Sequence, residues 1–188
     1  MKKKSLNANR KNHKQLLDYL NDKKIYKIYK SFKFFLTEEA KSKSIAVGIS
    51  GGPDSLALTF FSKCLSLREN FKVKFFIVDH RIRKNSTKEA KKVIFLLKKF
   101  SINSKLLTWK GKKPKSNIQS IARKNRFLLL EKECKKNRID NLLLGHHIDD
   151  LYENFFIRLF RGSGLKGLTS FGKINHNKKL NTRILRPL

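Results

Sequence analysis

Carboxylates are scarce in this chain: 14 Asp and Glu face 45 Lys and Arg, a formal net charge of +31 over 188 residues. Such a surface repels itself and needs a polyanion or salt to quiet its field, and nucleic acid is the commonest such partner. Cysteine is nearly absent as well. Cys64 and Cys134 are far apart, each inside a helical pattern, and no Cys-x-x-Cys pair exists. Neither a zinc site nor a cysteine-ligated iron–sulfur cluster is supported, and two buried thiols in a reducing compartment are expected. No apolar run approaches the ~20 residues that cross a bilayer. Lys2-Lys3-Lys4 leads into Asn, Arg, His and Lys rather than the apolar stretch of a signal peptide. A cytoplasmic protein without a membrane partner is the expectation.

Residues 1–44 contain neither Gly nor Pro and are rich in Lys. They read as a basic N-terminal extension with helical segments, patterned at Leu16, Leu17 and Leu20 and again at Ile25, Ile28, Tyr29, Phe32, Phe35 and Leu36. The second pattern has helical spacing and is expected to dock on the domain that begins at residue 45. The first dozen residues are expected to be a disordered basic arm.

From residue 45 to 188 the pattern becomes that of one domain, with strands expected at 45–49, 73–78, 104–109 and 141–145. Helices are expected between and after them, at 55–69, 86–100, 117–136 and 149–161. Short, continuously apolar strands between longer helices predict an α/β fold: a Rossmann-like parallel sheet of about five strands with helices on both faces. Ligands on such a sheet collect at the carboxyl ends of the strands. Three of those ends carry polar clusters: residues 50–55, Asp79-His80-Arg81-Ile82-Arg83, and Gly145-His146-His147-Ile148-Asp149-Asp150.

The first cluster is the most informative. Ser50-Gly51-Gly52-Pro53-Asp54-Ser55 follows an apolar run and opens a helical pattern. Small residues let backbone N–H groups converge on one point, and the helix N-terminus behind them favours phosphate oxygens. The spacing fits neither a Walker loop nor a dinucleotide fingerprint. It resembles the PP-loop of N-type ATP pyrophosphatases, enzymes that cleave ATP to AMP and pyrophosphate. That resemblance implies that the loop amides with Ser50 and Ser55 hold phosphate oxygens and that Asp54 helps to place Mg2+.

In the third cluster, two His and two Asp at a strand-to-helix turn can bind a divalent cation, hold an ammonium or cap the adjoining helix. One acid suffices for a cap. Two acids with two imidazoles exceed that need and mark a site.

Taken in order, Ser-Gly-Gly-Pro-Asp-Ser at 50–55, Val-Asp-His-Arg-Ile-Arg at 78–83, Ile-Ala-Arg-Lys-Asn-Arg-Phe at 121–127, Gly-His-His-Ile-Asp-Asp at 145–150 and Arg-Leu-Phe-Arg-Gly-Ser-Gly-Leu-Lys-Gly-Leu at 158–168 resemble the tRNA(Ile)-lysidine synthetase family. The resemblance runs to Arg186-Pro187-Leu188. It implies a ligase that uses ATP to adenylate the wobble cytidine of tRNA(Ile), then joins free L-lysine to the activated ring, releasing AMP and pyrophosphate. Asp54 with Asp149 or Asp150 would hold the metal, and the remaining aspartate would seat lysine and help remove its proton. His146 and His147 are alternative bases. Arg126 would hold a phosphate or the activated base, with Arg123 on the same helix face. Arg123, Arg158, Arg161 and Lys166 would meet RNA phosphates.

The sequence departs from the family pattern at Leu151, where Gln is usual, and at Asn154, where Thr is usual. The family's C-terminal tRNA-binding domains are expected to be absent, and a homodimer is left open. The nearest rival is a PP-loop enzyme that thiolates tRNA cytidine, yet such enzymes look for cysteine pairs that this chain lacks. A degenerate basic RNA-binding module is the non-enzymatic alternative.

Overall fold

Apolar runs too short for helices become the strands of one sheet, and the amphipathic segments between them cover it. The computed structural model describes residues 2–83, 85–111, 116–145, 174–175 and 182–188. In chain order the elements are α1 (Lys2–Asp18), a 3-10 turn (Tyr19–Asn21), α2 (Lys23–Glu39), β1 (Ser44–Ile49), α3 (Pro53–Arg68), β2 (Lys72–Asp79), α4 (Ser86–Lys99), β3 (Ser104–Thr108), α5 (Ile118–Lys136), β4 (Asn141–Leu144), β5 (Ile174–Asn175) and β6 (Arg183–Leu185). Each of the four strands expected from the sequence lies within one residue of its expected bounds. The helix expected at 149–161 lies outside the described residues.

The sheet order is β3-β2-β1-β4-β6-β5. Five strands run parallel, and the two-residue β5 joins antiparallel to β6. Alternation along each strand splits the core in two. Ile45, Val47, Ile49, Phe75 and Ile77 face Leu58, Phe61 and Leu65 of α3 and Leu97 of α4. Ala46, Phe76, Leu142, Leu144 and Ile184 face Leu130 and Cys134 of α5. Chain connections thus change face between β1 and β4, and the order of strands reverses there. That is where an open α/β sheet forms its ligand crevice.

The N-terminal extension shares the first of these cores. Leu16, Leu20, Tyr29, Phe32 and Leu36 are buried in it, and Phe32 meets Phe61 with ring centroids 5.7 Å apart. Asp22 starts α2 by accepting from the amides of Lys24 and Ile25 at 2.8 and 3.0 Å, a cap worth about 1 kcal/mol. Arg183 of β6 clasps the end of α2, pairing with Glu39 at 2.9 Å. The expectation of a disordered first dozen is corrected: α1 begins at Lys2. Its Lys- and Asn-rich start carries no apolar period, and the helix is continuous with the buried Leu16. Asn12 also ties it to the main domain through Ser101.

Both thiols are buried, Cys64 in the core under α3 and Cys134 in the core under α5. Burial pushes each up to about 12. None of the described helices is long and apolar enough to cross a membrane.

Candidate active site

The loop after β1 is built around one hydroxyl. Ser55, almost fully buried, accepts at its Oγ from the amides of Ser50 (3.3 Å) and Gly51 (3.1 Å) and donates to the carbonyl of Gly52 at 2.9 Å. Ser50 Oγ lies 3.1 Å from the same atom. Gly51 has φ +91°, a conformation that L side chains rarely adopt, and a Cβ there would also meet Val93 at 2.8 Å. Gly52 and Pro53 then start α3, with Pro53 in the first turn, where its missing N–H costs nothing. Asp54 comes next in that turn, half-buried. The head of α3 therefore presents its first-turn amides without intrahelical acceptors, the geometry that favours an anion.

Gly145, the first residue after β4, is pressed against this loop. A Cβ at that position would lie 2.9 Å from both Cα and N of Ser55 and 3.0 Å from the carbonyl carbon of Asp54. Only a residue without a side chain allows the chain leaving β4 to pass so near the head of α3. His146, His147, Asp149, Asp150, Arg158, Arg161 and Lys166 lie outside the described residues, as do Leu151 and Asn154.

Next to the loop, above the ends of β1 and β2, lies a cavity of about 330 Å³ between α4 and α5. Ile49, Ser50, Val78, His80, Arg83 and Arg126 contribute to its wall. Arg126 sits under the crevice, its Nη2 donating to Gly48 O at a long 3.5 Å. Burial, and then the charge of Arg123, push its pKa below the usual guanidinium value. Arg123 is exposed instead and lies over the ring of Phe127, 5.8 Å from its centroid. His80 is lowered by burial first and by the cations Arg126 and Arg83, against the opposing pull of Asp79. Its Nδ1 is buried without a hydrogen-bond partner. Sequence reasoning marked the 79–83 cluster without giving it a role. His80 and Arg83 reach the cavity from the loop after β2 and Gln119 reaches it from α5, a meeting across 36 residues of sequence that no local spacing announces.

Asp79 organises the second strand end. Its carboxylate accepts from the amide of Arg81 (2.9 Å), the hydroxyl of Ser86 (2.8 Å) and that of Thr87 (2.7 Å). Burial would raise its pKa, but these hydrogen bonds, led by Thr87, and the charge of Arg81 together hold it below the usual carboxylate range. The folded value therefore lies below the unfolded one near 3.9. The resulting stabilisation is present above about pH 4 and is lost as pH falls through the folded value. Urea midpoints measured from about pH 6 downward should show an acid limb in the parent and a flatter one in Asp79→Asn.

As a metal ligand Asp54 offers hard carboxylate oxygens of the kind Mg2+ takes, in the first turn of α3. Among the described residues no group of three or more His, Cys, Asp or Glu stands close enough to hold an ion. A site at Asp54 would draw its remaining ligands from substrate phosphates and water.

The PP-loop domain family matches residues 20–188. A tRNA(Ile)-lysidine synthase from Orientia tsutsugamushi is 40% identical over 148 residues, covering 79% of this chain and 33% of that protein. One from a Wolbachia of Brugia malayi is 37% identical over 150 residues, with 78% and 34% covered. The chain thus spans about a third of the length of these curated relatives. Among solved structures, the U34-tRNA thiolase NcsA from Methanococcus maripaludis, which carries a [4Fe-4S] cluster, superposes with a TM-score of 0.69 at 19% identity. That match covers 87% of this chain and 59% of the other and reflects a common fold.

Proposed function

The chain belongs to the PP-loop domain family, and from that premise we propose that it performs ATP-dependent ligation of L-lysine to the wobble cytidine of tRNA(Ile). The observation that carries this reading is the contact of Gly145 with the head of α3. It brings the end of β4 onto the loop at 50–55, and the proposal has nucleotide and amino acid share the crevice there.

ATP lies with its phosphates over residues 50–55 and its nucleoside in the adjoining cavity, which is of a size to take it. A cytosine carbonyl oxygen attacks the α-phosphorus, and the bond to the β-phosphate oxygen breaks, releasing pyrophosphate. The first-turn amides of α3 and the half-buried guanidinium of Arg126 stabilise the charge that develops. Mg2+, held in part by Asp54, neutralises phosphate charge when bound. Free lysine enters as an ammonium of pKa ~10.4 and must lose a proton before it attacks. An aspartate of 149–150 seats it, and that carboxylate or a neighbouring imidazole takes the proton. The amine then bonds to the activated ring carbon, the carbon–oxygen bond breaks, and AMP leaves. Arg123, Arg158, Arg161 and Lys166 are proposed to hold the RNA backbone.

The thiolase reading fits less well. Cys64 and Cys134 lie in separate cores on opposite faces of the sheet, and both thiols are kept protonated at neutral pH by burial. Neither can serve sulfur transfer together with the other.

Order of release tests the mechanism. With ATP, Mg2+ and tRNA(Ile) but no lysine, pyrophosphate should appear in a single burst while AMP stays bound to the RNA. Adding lysine should release the AMP. Pyrophosphate release that needs no tRNA, or AMP release that needs no lysine, would contradict the two-step scheme.

A further inference from the structure

The outer side of α2 carries chemistry that neither the core nor the crevice uses. Tyr29, Phe32 and Leu36 are buried, which fixes the opposite side of the helix as the solvent side. At 3.6 residues per turn, Lys23, Lys27, Lys30 and Phe34 succeed one another along that side, with Tyr26 beside Lys30. All five are exposed. Phe34 stands at the middle of the solvent face and, at 70%, is the most exposed large apolar side chain among the described residues. Lys30 Nζ lies 5.5 Å from the centroid of the Tyr26 ring. The acids of the helix stay at its ends: Asp22 caps the start, Glu38 lies one turn past Phe34, and Glu39 is paired with Arg183.

A phenylalanine pointing away from the core contributes nothing to folding and exposes apolar surface. With Lys30 one turn and Lys27 two turns before it on the same side, it fits a particular ligand. Unpaired nucleic acid is bound where cations track phosphates and aromatic rings stack on bases. Lysine is depleted at protein–protein interfaces, which argues against a protein partner here. A membrane-surface helix would lay a continuous apolar face in the lipid, but the apolar face of α2 is already spent on the core.

We propose that this face of α2 is a second RNA contact, outside the crevice, in which Lys23, Lys27 and Lys30 meet phosphates and Tyr26 and Phe34 stack on unpaired bases. The proposal rests on the reading of the chain as a tRNA-modifying enzyme. From Lys23 to Phe34 the face extends roughly 16 Å along the helix axis, room for a few nucleotides.

The test uses the full chain and tRNA, with binding followed by fluorescence anisotropy over a series of KCl concentrations. The double variant Tyr26→Ser/Phe34→Ser should bind about tenfold more weakly with the salt dependence unchanged. The triple variant Lys23→Gln/Lys27→Gln/Lys30→Gln should lose affinity and flatten the log–log salt slope by about two to three. Both should keep the parent's thermal midpoint and ATP affinity, since every altered side chain is exposed. In Phe34→Trp, the added indole fluorescence should be quenched by tRNA. Parental binding that both variants match would overturn the α2 contact alone. Unchanged tRNA affinity with lost binding to phosphatidylserine vesicles would also overturn it, assigning the face to a membrane. A parent that binds no tRNA would overturn the enzymatic reading along with it.

Discussion

Asp54→Asn should leave the protein folded and tRNA-bound while cutting tRNA-dependent pyrophosphate release by about 10²–10³-fold. The side chain stands in the first turn of α3 at the mouth of the phosphate loop, half-buried. Its replacement by an isosteric amide keeps the shape of the loop but removes the negative charge that the proposed Mg2+ needs. The proposed RNA binding draws instead on a field of +31, to which one lost carboxylate is a minor and slightly favourable change. The check pairs a pyrophosphate assay with a tRNA-binding titration at fixed salt. Equal pyrophosphate release by variant and parent would remove Asp54 from the chemistry.

Gly145→Val is expected to have the second large effect, on stability and ATP affinity together. The three atoms nearest the added Cβ are all backbone, two of them at 2.9 Å, so no side chain can swing aside to make room. Forcing the chain after β4 away from α3 should cost about 1–3 kcal/mol and displace the amides proposed to meet the phosphates. Gly52→Ala is the matched control. Its nearest neighbour would be Ser50 Oγ at 3.7 Å, an ordinary contact, and its φ of −74° suits any residue. Calorimetric titration with ATP and a thermal melt should separate the two: Gly145→Val impaired in both, Gly52→Ala close to the parent in stability. A Gly145→Val protein that melts and binds ATP like the parent would mean that the two segments do not depend on each other.

β1, β2 and β4 were legible because each contains a continuous apolar run, such as Phe75-Phe76-Ile77-Val78 or Leu142-Leu143-Leu144, whereas β3 holds only Leu106-Leu107 between polar residues. The final strands were not. β5 and β6 hold two and three residues, too few for any period, and β6 exists because β4 offers it a parallel edge. α1 was missed in its first turns for a different reason: its Lys- and Asn-rich start has no apolar stripe, and a helix there extends one anchored by the buried Leu16.

The loop at 50–55 could be picked out directly because its residues are contiguous and their small size is itself the signal. Ser55 was legible as a member of the loop but not as its pin. That depends on three backbone groups converging on one oxygen, which only the folded turn brings about. His80 and Arg83 belong to the loop after β2 and Gln119 to α5, so their shared cavity is a property of the sheet order. Gly145 carried a signal in the sequence, a lone glycine between a strand and a polar cluster, whose physical meaning is the close passage over Ser55.

Central to this account is one crevice in which ATP activates a tRNA cytidine for attack by lysine. The most direct test is mass spectrometry of the wobble nucleoside from tRNA(Ile) after incubation of the full chain with ATP, Mg2+ and lysine. The account predicts a nucleoside with the mass of cytidine plus lysine less one water. A nucleoside that has gained sulfur, or cytidine left unmodified although ATP is cleaved, would contradict it.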